Sequence, residues 1–191
     1  MKRLILASGS HYRARQLAQF GLSFDTQPAD IDETPRPGEE AQDLVRRLAR
    51  AKAQAIARSQ AAAIVIGSDQ VAVLAGSPVS KPGNHAGARQ QLRQASGQQV
   101  RFFTGLCVLA PDQAPMQHVD ETQVHFRALH DAEIERYIKA EQPFDCAGSF
   151  KCEGLGISLF EAIETRDPSA LVGLPLIALA GMLRQCGYSI P

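Results

Sequence analysis

Asp69 and Lys81 are the first pair in this sequence from which chemistry can be read. Ile64-Val65-Ile66 is a short, β-branched, wholly apolar run, the mark of a strand buried on both faces. It is expected to stop at Gly67-Ser68, which leaves Asp69 at a strand end. Val71-Ala72-Val73-Leu74 and a turn at Gly76-Ser77-Pro78 then lead to Lys81, so a hairpin returns a base beside the acid. Ligand sites in open α/β sheets lie at the carboxyl ends of strands. A carboxylate there can take a proton or hold a metal, or it can simply cap the strand end as a turn-former.

Other charged residues sit where an anion or a cation would be met. Leu4-Ile5-Leu6-Ala7 reads as a strand, Ser8-Gly9-Ser10 as a small loop, and His11 to Phe20 as a helix ended by Gly21. Backbone N–H groups at such a helix start form an anion nest, and Arg13 and Arg15 in its first turns call for a compensating negative charge. The plain alternative is a β–α turn with Ser10 as N-cap. Asp32-Glu33 belongs to an acid-rich loop ahead of Pro-Arg-Pro-Gly, and one such acid facing a site could bind a divalent metal. Lys52 lies inside the apolar stripe Leu44, Val45, Leu48, Ala51, Ala55, Ile56 of a helix over 39–58. It either snorkels along the core edge or points its ammonium at a buried anion.

The elements that must position these residues alternate between strand and helix. After the hairpin, Asn84 can cap a helix to about Ala95, closed by Gly97. Two strands over 100–109 and 117–126 follow, the first interrupted at Thr104-Gly105, where a glycine suggests a bulge or a close approach of backbone or ligand. A short acidic helix over 130–140 leads to the glycine-rich loop FDCAGSFKCEGLG at 144–156 and a strand over 157–162. Pro175 is well placed to start a last apolar helix to about Gln185, and Leu22–Thr26 reads as a further short strand. The expected fold is α/β, a mixed, twisted central sheet with flanking helices and two lobes around a deep cleft, formed by one domain over 1–191.

Composition narrows the functions. Of 191 residues 45% are hydrophobic, enough for a substantial core. Twenty basic residues balance twenty acidic ones, which speaks against a nucleic-acid polymer or a membrane surface as partner. The four cysteines form no CxxC pair and have no His at zinc-ligand spacing, so reduced thiols in a cytoplasmic protein are expected. The Leu4–Ala7 run is too short for a signal peptide, and no GxxxxGK[ST] loop or kinase signature occurs.

Read together, the stretches LASGSxxR at 6–13, DE at 32–33, LAxxKA at 48–53, GSDQ at 67–70, SKP at 80–82, TG at 104–105, AGSFKCEGLG at 147–156 and LVGLPL at 171–176 resemble the Maf family of nucleoside triphosphate pyrophosphatases. They cover nearly the whole chain in family order. Gln70 together with KCEG at 151–154 is similar to the branch acting on 7-methyl-GTP. The resemblance implies hydrolysis between the α and β phosphates with a divalent cation, Mg²⁺ or Mn²⁺. It implies Asp69 as the acid–base residue and marks Tyr12, Gln70 and Glu153 as specificity positions. It places Ser8, Arg13, Lys52 and Lys81 around the triphosphate and Glu33 near the metal beside Asp69. His11 stands where the family usually has Pro. Ala14 stands where it often has a second Arg, which leaves Arg15 to take over.

The chemistry of these residues agrees with that implication. A triphosphate needs cations from several directions, and Arg13, Lys52 and Lys81 supply them. Glu33 and Asp69 are hard oxygen donors suited to Mg²⁺ or Mn²⁺. Glu153 can accept both donors on the Watson–Crick edge of guanine, with Tyr12 or Phe150 offering an aromatic face to a methylated base. The alternative is a catalytically silent, regulatory nucleotide-binding protein. A homodimer is left open.

Overall fold

The computed structural model describes residues 2–191. Seven strands form one mixed sheet in the order β2-β1-β3-β5-β6-β7, with β4 paired to β3. They are β1 (Leu4–Leu6), β2 (Asp25–Thr26), β3 (Ile64–Leu74), β4 (Ser77–Val79), β5 (Gln99–Leu109), β6 (Met116–Phe126) and β7 (Phe160–Glu164). The helices are α1 (His11–Leu17), α2 (Ala41–Ala57), α3 (His85–Ala95), α4 (Asp131–Glu141) and α5 (Leu176–Gln185). The expected α/β class with a mixed central sheet and flanking helices is what the chain adopts. Among the described residues no helix is long and apolar enough to cross a membrane.

The chain divides into two compact units. One comprises residues 1–70, 103–120 and 167–191, the other 71–102 and 121–166. In the first, β1 pairs in parallel with β2 and β3, Ile5 lying opposite both Asp25 and Val65. Side chains alternate across a sheet with period two, and the core divides accordingly. Leu4, Leu6, Ile64, Ile66, Leu106 and Val108 face one way, with Leu17 of α1 and Leu179 and Leu183 of α5. Ile5, Val65 and Cys107 face the other, with Ala49, Ala53 and Ile56 of α2. β1 and the Ile64–Ile66 start of β3 are therefore apolar without alternation, as buried strands are.

The second unit contains the antiparallel β3–β4 hairpin, in which Ala72 pairs with Val79. Asn84 caps α3, its side chain accepting from Gly87 N at 2.9 Å. β6 pairs antiparallel with β7. Phe102, Phe126, Phe150 and Phe160 pack edge to face, with ring centroids 4.8 to 5.7 Å apart.

Four local readings are corrected. β3 does not end at Gly67; it continues through Gly67-Ser68-Asp69-Gln70 to Leu74, so Asp69 lies in mid-strand. The strand expected over 22–26 is only Asp25–Thr26, and the one expected over 157–162 begins at Phe160, after a 3-10 turn over Leu155–Leu159. Nor does Gly105 interrupt β5.

The glycine in each case admits a helix. A Cβ on Gly67 would stand 2.1 Å from the Ala49 carbonyl oxygen, and one on Gly105 would stand 2.3 Å from that of Val45. Both carbonyls belong to α2, so the two glycines let α2 lie directly on the sheet.

Candidate active site

The close approach of α2 puts Lys52, between Ala49 and Ala53, over β3. Gly67 and Asp69 share the α2 face of the strand, two residues apart. Lys52 Nζ donates to Asp69 Oδ1 at 2.6 Å and meets Glu33 Oε1 at 2.8 Å. Lys52 and Asp69 are buried, whereas Glu33 is half exposed on its loop. Of the two readings of Lys52, the ammonium aimed at a buried anion is the one realised.

The Glu33 loop is itself tied to α2. Arg47 Nε and Nη2 grip Glu39 at 2.6 and 2.7 Å, and Nη2 also donates to the Thr34 carbonyl at 3.1 Å. Asp32 Oδ1 accepts from Thr34 N at 2.9 Å, an Asx turn immediately beside Glu33. The hydrogen bonds from Arg47 and from the Arg36 backbone bring the Glu39 carboxyl down to about 2.

The opposite face of β3 meets residues 167–175. Ser68 Oγ donates to the Gly173 carbonyl at 2.9 Å. Gln70 Nε2 donates to Ala170 O at 2.9 Å, Leu171 O at 3.1 Å and Thr104 Oγ1 at 3.0 Å. Thr104 Oγ1 donates to Ala170 O at 3.0 Å, and Gln16 Nε2 of α1 to Ser169 O at 2.7 Å. Asp167 caps the segment, its carboxylate accepting from Ser169 N and Ile177 N at 3.0 and 2.7 Å. The amide nitrogen of Gln70, expected at the base, thus serves this packing.

Arg13 joins the two faces. Its Nε donates to Gly173 O at 2.8 Å and its Nη1 to Ser68 O at 2.9 Å. Burial lowers the pKa of this guanidinium from its ordinary value, and the charges of Asp69 and Glu33 partly offset the effect. Those carboxylates are the compensating negative charges that a basic first turn requires.

The start of α1 follows the expected β–α turn. Ser10 is its N-cap, accepting from Arg13 N at 3.4 Å, and buried Ser8 accepts from Ser10 N at 3.1 Å. Tyr12 stacks on His11 with ring centroids 3.9 Å apart. Ala14 packs against the core beside Leu17, and Arg15 is exposed on the helix.

Lys81 and Glu153 belong to the second unit. Exposed Lys81 borders a groove of about 680 Å³ with Ser77, Ser80, Gln91 and Gln98. Glu153 is exposed, and the Cys152 thiol donates to its Oε2 at 3.5 Å. Burial and the Glu153 charge push that thiol up to about 12. α4 anchors the loop: Glu141 Oε1 accepts from Leu155 N at 2.8 Å, and Lys151 N donates to Tyr137 OH at 3.0 Å. Phe150, proposed as a face for the base, is instead core, locked among Phe102, Phe126 and Phe160. Tyr12 is the aromatic candidate that remains.

The first unit therefore gathers Arg13, Glu33, Lys52 and Asp69, with Gln70 next to Asp69 on β3 and Ser8 in the loop between β1 and α1. Sequence reasoning missed the roles of Ser68, Thr104, Gly173, Arg47 and Glu39. Ser68, Thr104 and Gly173 lie in quoted motifs, but the side chains or carbonyls they meet are more than thirty residues away; Arg47 lies beside a motif, and its partners Glu39 and Thr34 are 8 and 13 residues away.

As a donor set for a cation, Glu33 and Asp69 present carboxylate oxygens to one point, now bridged by an ammonium. Among the described residues no group of three or more His, Cys, Asp or Glu gathers that could hold a metal ion. Two carboxylates completed by substrate phosphates and water suit Mg²⁺ or Mn²⁺, which take few protein ligands.

Comparison with known proteins places these observations. The family model described as Maf-like protein matches residues 3–186. The chain is 54% identical, over the full length of both, to a 7-methyl-GTP pyrophosphatase of Xanthomonas axonopodis pv. citri. It is 50% identical, over 98% of this chain and 94% of the other, to one of Nitrosococcus oceani. In fold it is similar to the Ham1 protein of Staphylococcus aureus, with TM-score 0.55, 12% identity, and coverage of 96% of this chain and 99% of that one. A HAM1 protein from Coxiella burnetii aligns with TM-score 0.52 and 14% identity over 99% and 100% of the two chains.

Proposed function

The chain belongs to the Maf-like protein family, and from that premise we propose that it hydrolyses 7-methyl-GTP between the α and β phosphates, releasing 7-methyl-GMP and pyrophosphate. The observation that carries the reading is the buried Asp69 carboxylate held against Lys52 and beside Glu33, in a chain that matches a 7-methyl-GTP pyrophosphatase from end to end.

The reaction follows from what those groups can do. The attacking water loses a proton to Asp69, whose Oδ1 is engaged by Lys52, which leaves Oδ2 as the oxygen to accept it. Oxygen bonds to the α phosphorus as the bond to the α–β bridging oxygen breaks, and pyrophosphate leaves. Lys52 stabilises the charge that builds on the phosphoryl oxygens, Arg13 binds phosphate alike in the ground and transition states, and Lys81 is assigned to the outer phosphates. Glu33 and Asp69 would hold a divalent cation, which supplies charge neutralisation and polarises a phosphoryl oxygen when bound. Ser8 is assigned to the phosphates, Tyr12 and Gln70 Oε1 to the base, and Glu153 of the second unit to the preference between bases.

Pyrophosphate release from 7-methyl-GTP with added Mg²⁺ tests the reading. Asp69→Asn keeps the shape and removes the proton acceptor, so the rate falls roughly 10²–10⁴-fold. Exhaustive EDTA treatment also abolishes release. A folded Asp69→Asn protein with more than about a tenth of the wild-type rate is incompatible with a base at this position.

A further inference from the structure

The Arg13 guanidinium is aimed by protein carbonyls before any substrate arrives. A guanidinium is a planar fork of five N–H groups. Two of its nitrogens are fixed, Nε on Gly173 O at 2.8 Å and Nη1 on Ser68 O at 2.9 Å. A plane held at two points cannot swing, and this fixes the directions of its three remaining N–H groups.

One of those carbonyls depends on an unusual backbone. Gly173 has φ of 123°, a conformation that L side chains rarely adopt, and a Cβ there would stand 3.3 Å from Arg13 Nε. Its N–H donates to Ala170 O at 2.9 Å. That same oxygen accepts from Thr104 Oγ1 at 3.0 Å and Gln70 Nε2 at 2.9 Å. Three donors on one carbonyl lock the turn ahead of Gly173. The contacts form a chain: Thr104 on β5, Ala170, Gly173, then Arg13 on α1.

We propose that Gly173 and Thr104 are positioning residues for the Arg13 guanidinium, and through it for the phosphates of the nucleoside triphosphate. Neither touches substrate. Thr104 holds the turn, Gly173 turns its carbonyl to the guanidinium and leaves room for it, and Arg13 presents its free N–H groups to phosphate oxygens. The inference rests on the proposed phosphate-binding role of Arg13. It explains why a threonine hydroxyl is buried in a strand otherwise lined there by Leu106 and Val108.

The test is a double-mutant cycle read in KM, kcat and inhibition by pyrophosphate, with thermal midpoints confirming that each protein is folded. Thr104→Val keeps the volume and removes the donor; Gly173→Ala adds the Cβ. Each raises KM and the pyrophosphate inhibition constant by about 5- to 50-fold with kcat changed far less, the mark of lost binding shared by ground and transition states. Thr104→Ser returns both constants to near wild type. In an Arg13→Met background neither substitution adds anything, because the group being positioned is gone. If Arg13→Met itself leaves KM unchanged, the phosphate role falls and the inference with it. If Arg13→Met raises KM but the folded Thr104→Val and Gly173→Ala proteins do not, or their effects simply add to that of Arg13→Met, the positioning role alone is overturned.

Discussion

Lys52 Nζ lies 2.6 Å from Asp69 Oδ1, and both side chains are about nine-tenths buried. Each charge is tolerated in the interior because the other is there. Removing two ions from water is costly, and leaving one of them without its partner is costlier still.

Lys52→Met therefore destabilises the protein at neutral pH by about 3 kcal/mol, although Met fills a similar volume. The double variant Lys52→Met, Asp69→Asn recovers much of that loss, since no unpaired charge is left. Urea unfolding at pH 7 measures both. A single variant as stable as wild type means that the ammonium contributes nothing to the fold.

Gly67→Ala forces a methyl group to within 2.1 Å of the Ala49 carbonyl oxygen. α2 must move off the sheet, at a cost of about 1–3 kcal/mol, typical of an overfilled core. Lys52 moves with it, so the rate of pyrophosphate release falls further than the loss of folded protein accounts for. Thermal melting and turnover of the same samples separate the two effects. An unchanged rate in a stably folded variant would show that α2 does not set the position of Lys52.

Arg47→Met changes the response to acid. Glu39 is held at about 2 in the folded protein against an ordinary value of 4.5. A carboxyl whose pKa is depressed by folding adds stability above its unfolded value, and that stability disappears as pH falls toward the folded value. Part of the stability lost between pH 4.5 and 2 therefore belongs to this pair. In Arg47→Met that part is already missing at neutral pH, so the variant loses less than wild type on acidification. Denaturant midpoints taken across this window show the shallower slope; parallel curves would contradict it.

Glu153→Gln addresses the base. A carboxylate accepts the ring N–H and exocyclic amine of guanine together, and N7 methylation adds a positive charge that it favours. The variant keeps metal-dependent cleavage and loses most of its preference for 7-methyl-GTP over GTP, ATP and UTP, read as ratios of kcat/KM. An unchanged ranking with unchanged ratios removes Glu153 from the base pocket. Burial does most to raise the Cys152 thiol and the Glu153 charge adds to it; the same change withdraws that second contribution, so Cys152 alkylates faster at pH 8 in the variant.

Much of this molecule was legible in the order of its residues. The helix from His11 with Gly21 at its end, the Asn84 cap, and the Leu44, Val45, Leu48 and Ile56 part of the α2 stripe rest on local preferences that short stretches carry by themselves, although Ala49 and Ala53, not Ala51 and Ala55, complete the buried face. The family motifs named Arg13, Glu33, Lys52 and Asp69, and the structure brings those four together. What the order could not carry is contact between distant segments. Gly67 and Gly105 resemble strand breaks until a helix is laid across them, because a missing Cβ has the same local signature whether it serves a turn or a close approach. Phe150 reads as an exposed loop aromatic until three other rings close round it. Gly173 and Thr104 acquire meaning only when Ala170 lies between them, sixty-six residues along the chain from Thr104. Local sequence sets backbone preference and chemical type. Which carbonyl a guanidinium meets, and which carboxylate an ammonium, is decided by the packing that brings α1, α2 and residues 167–175 onto opposite faces of one strand.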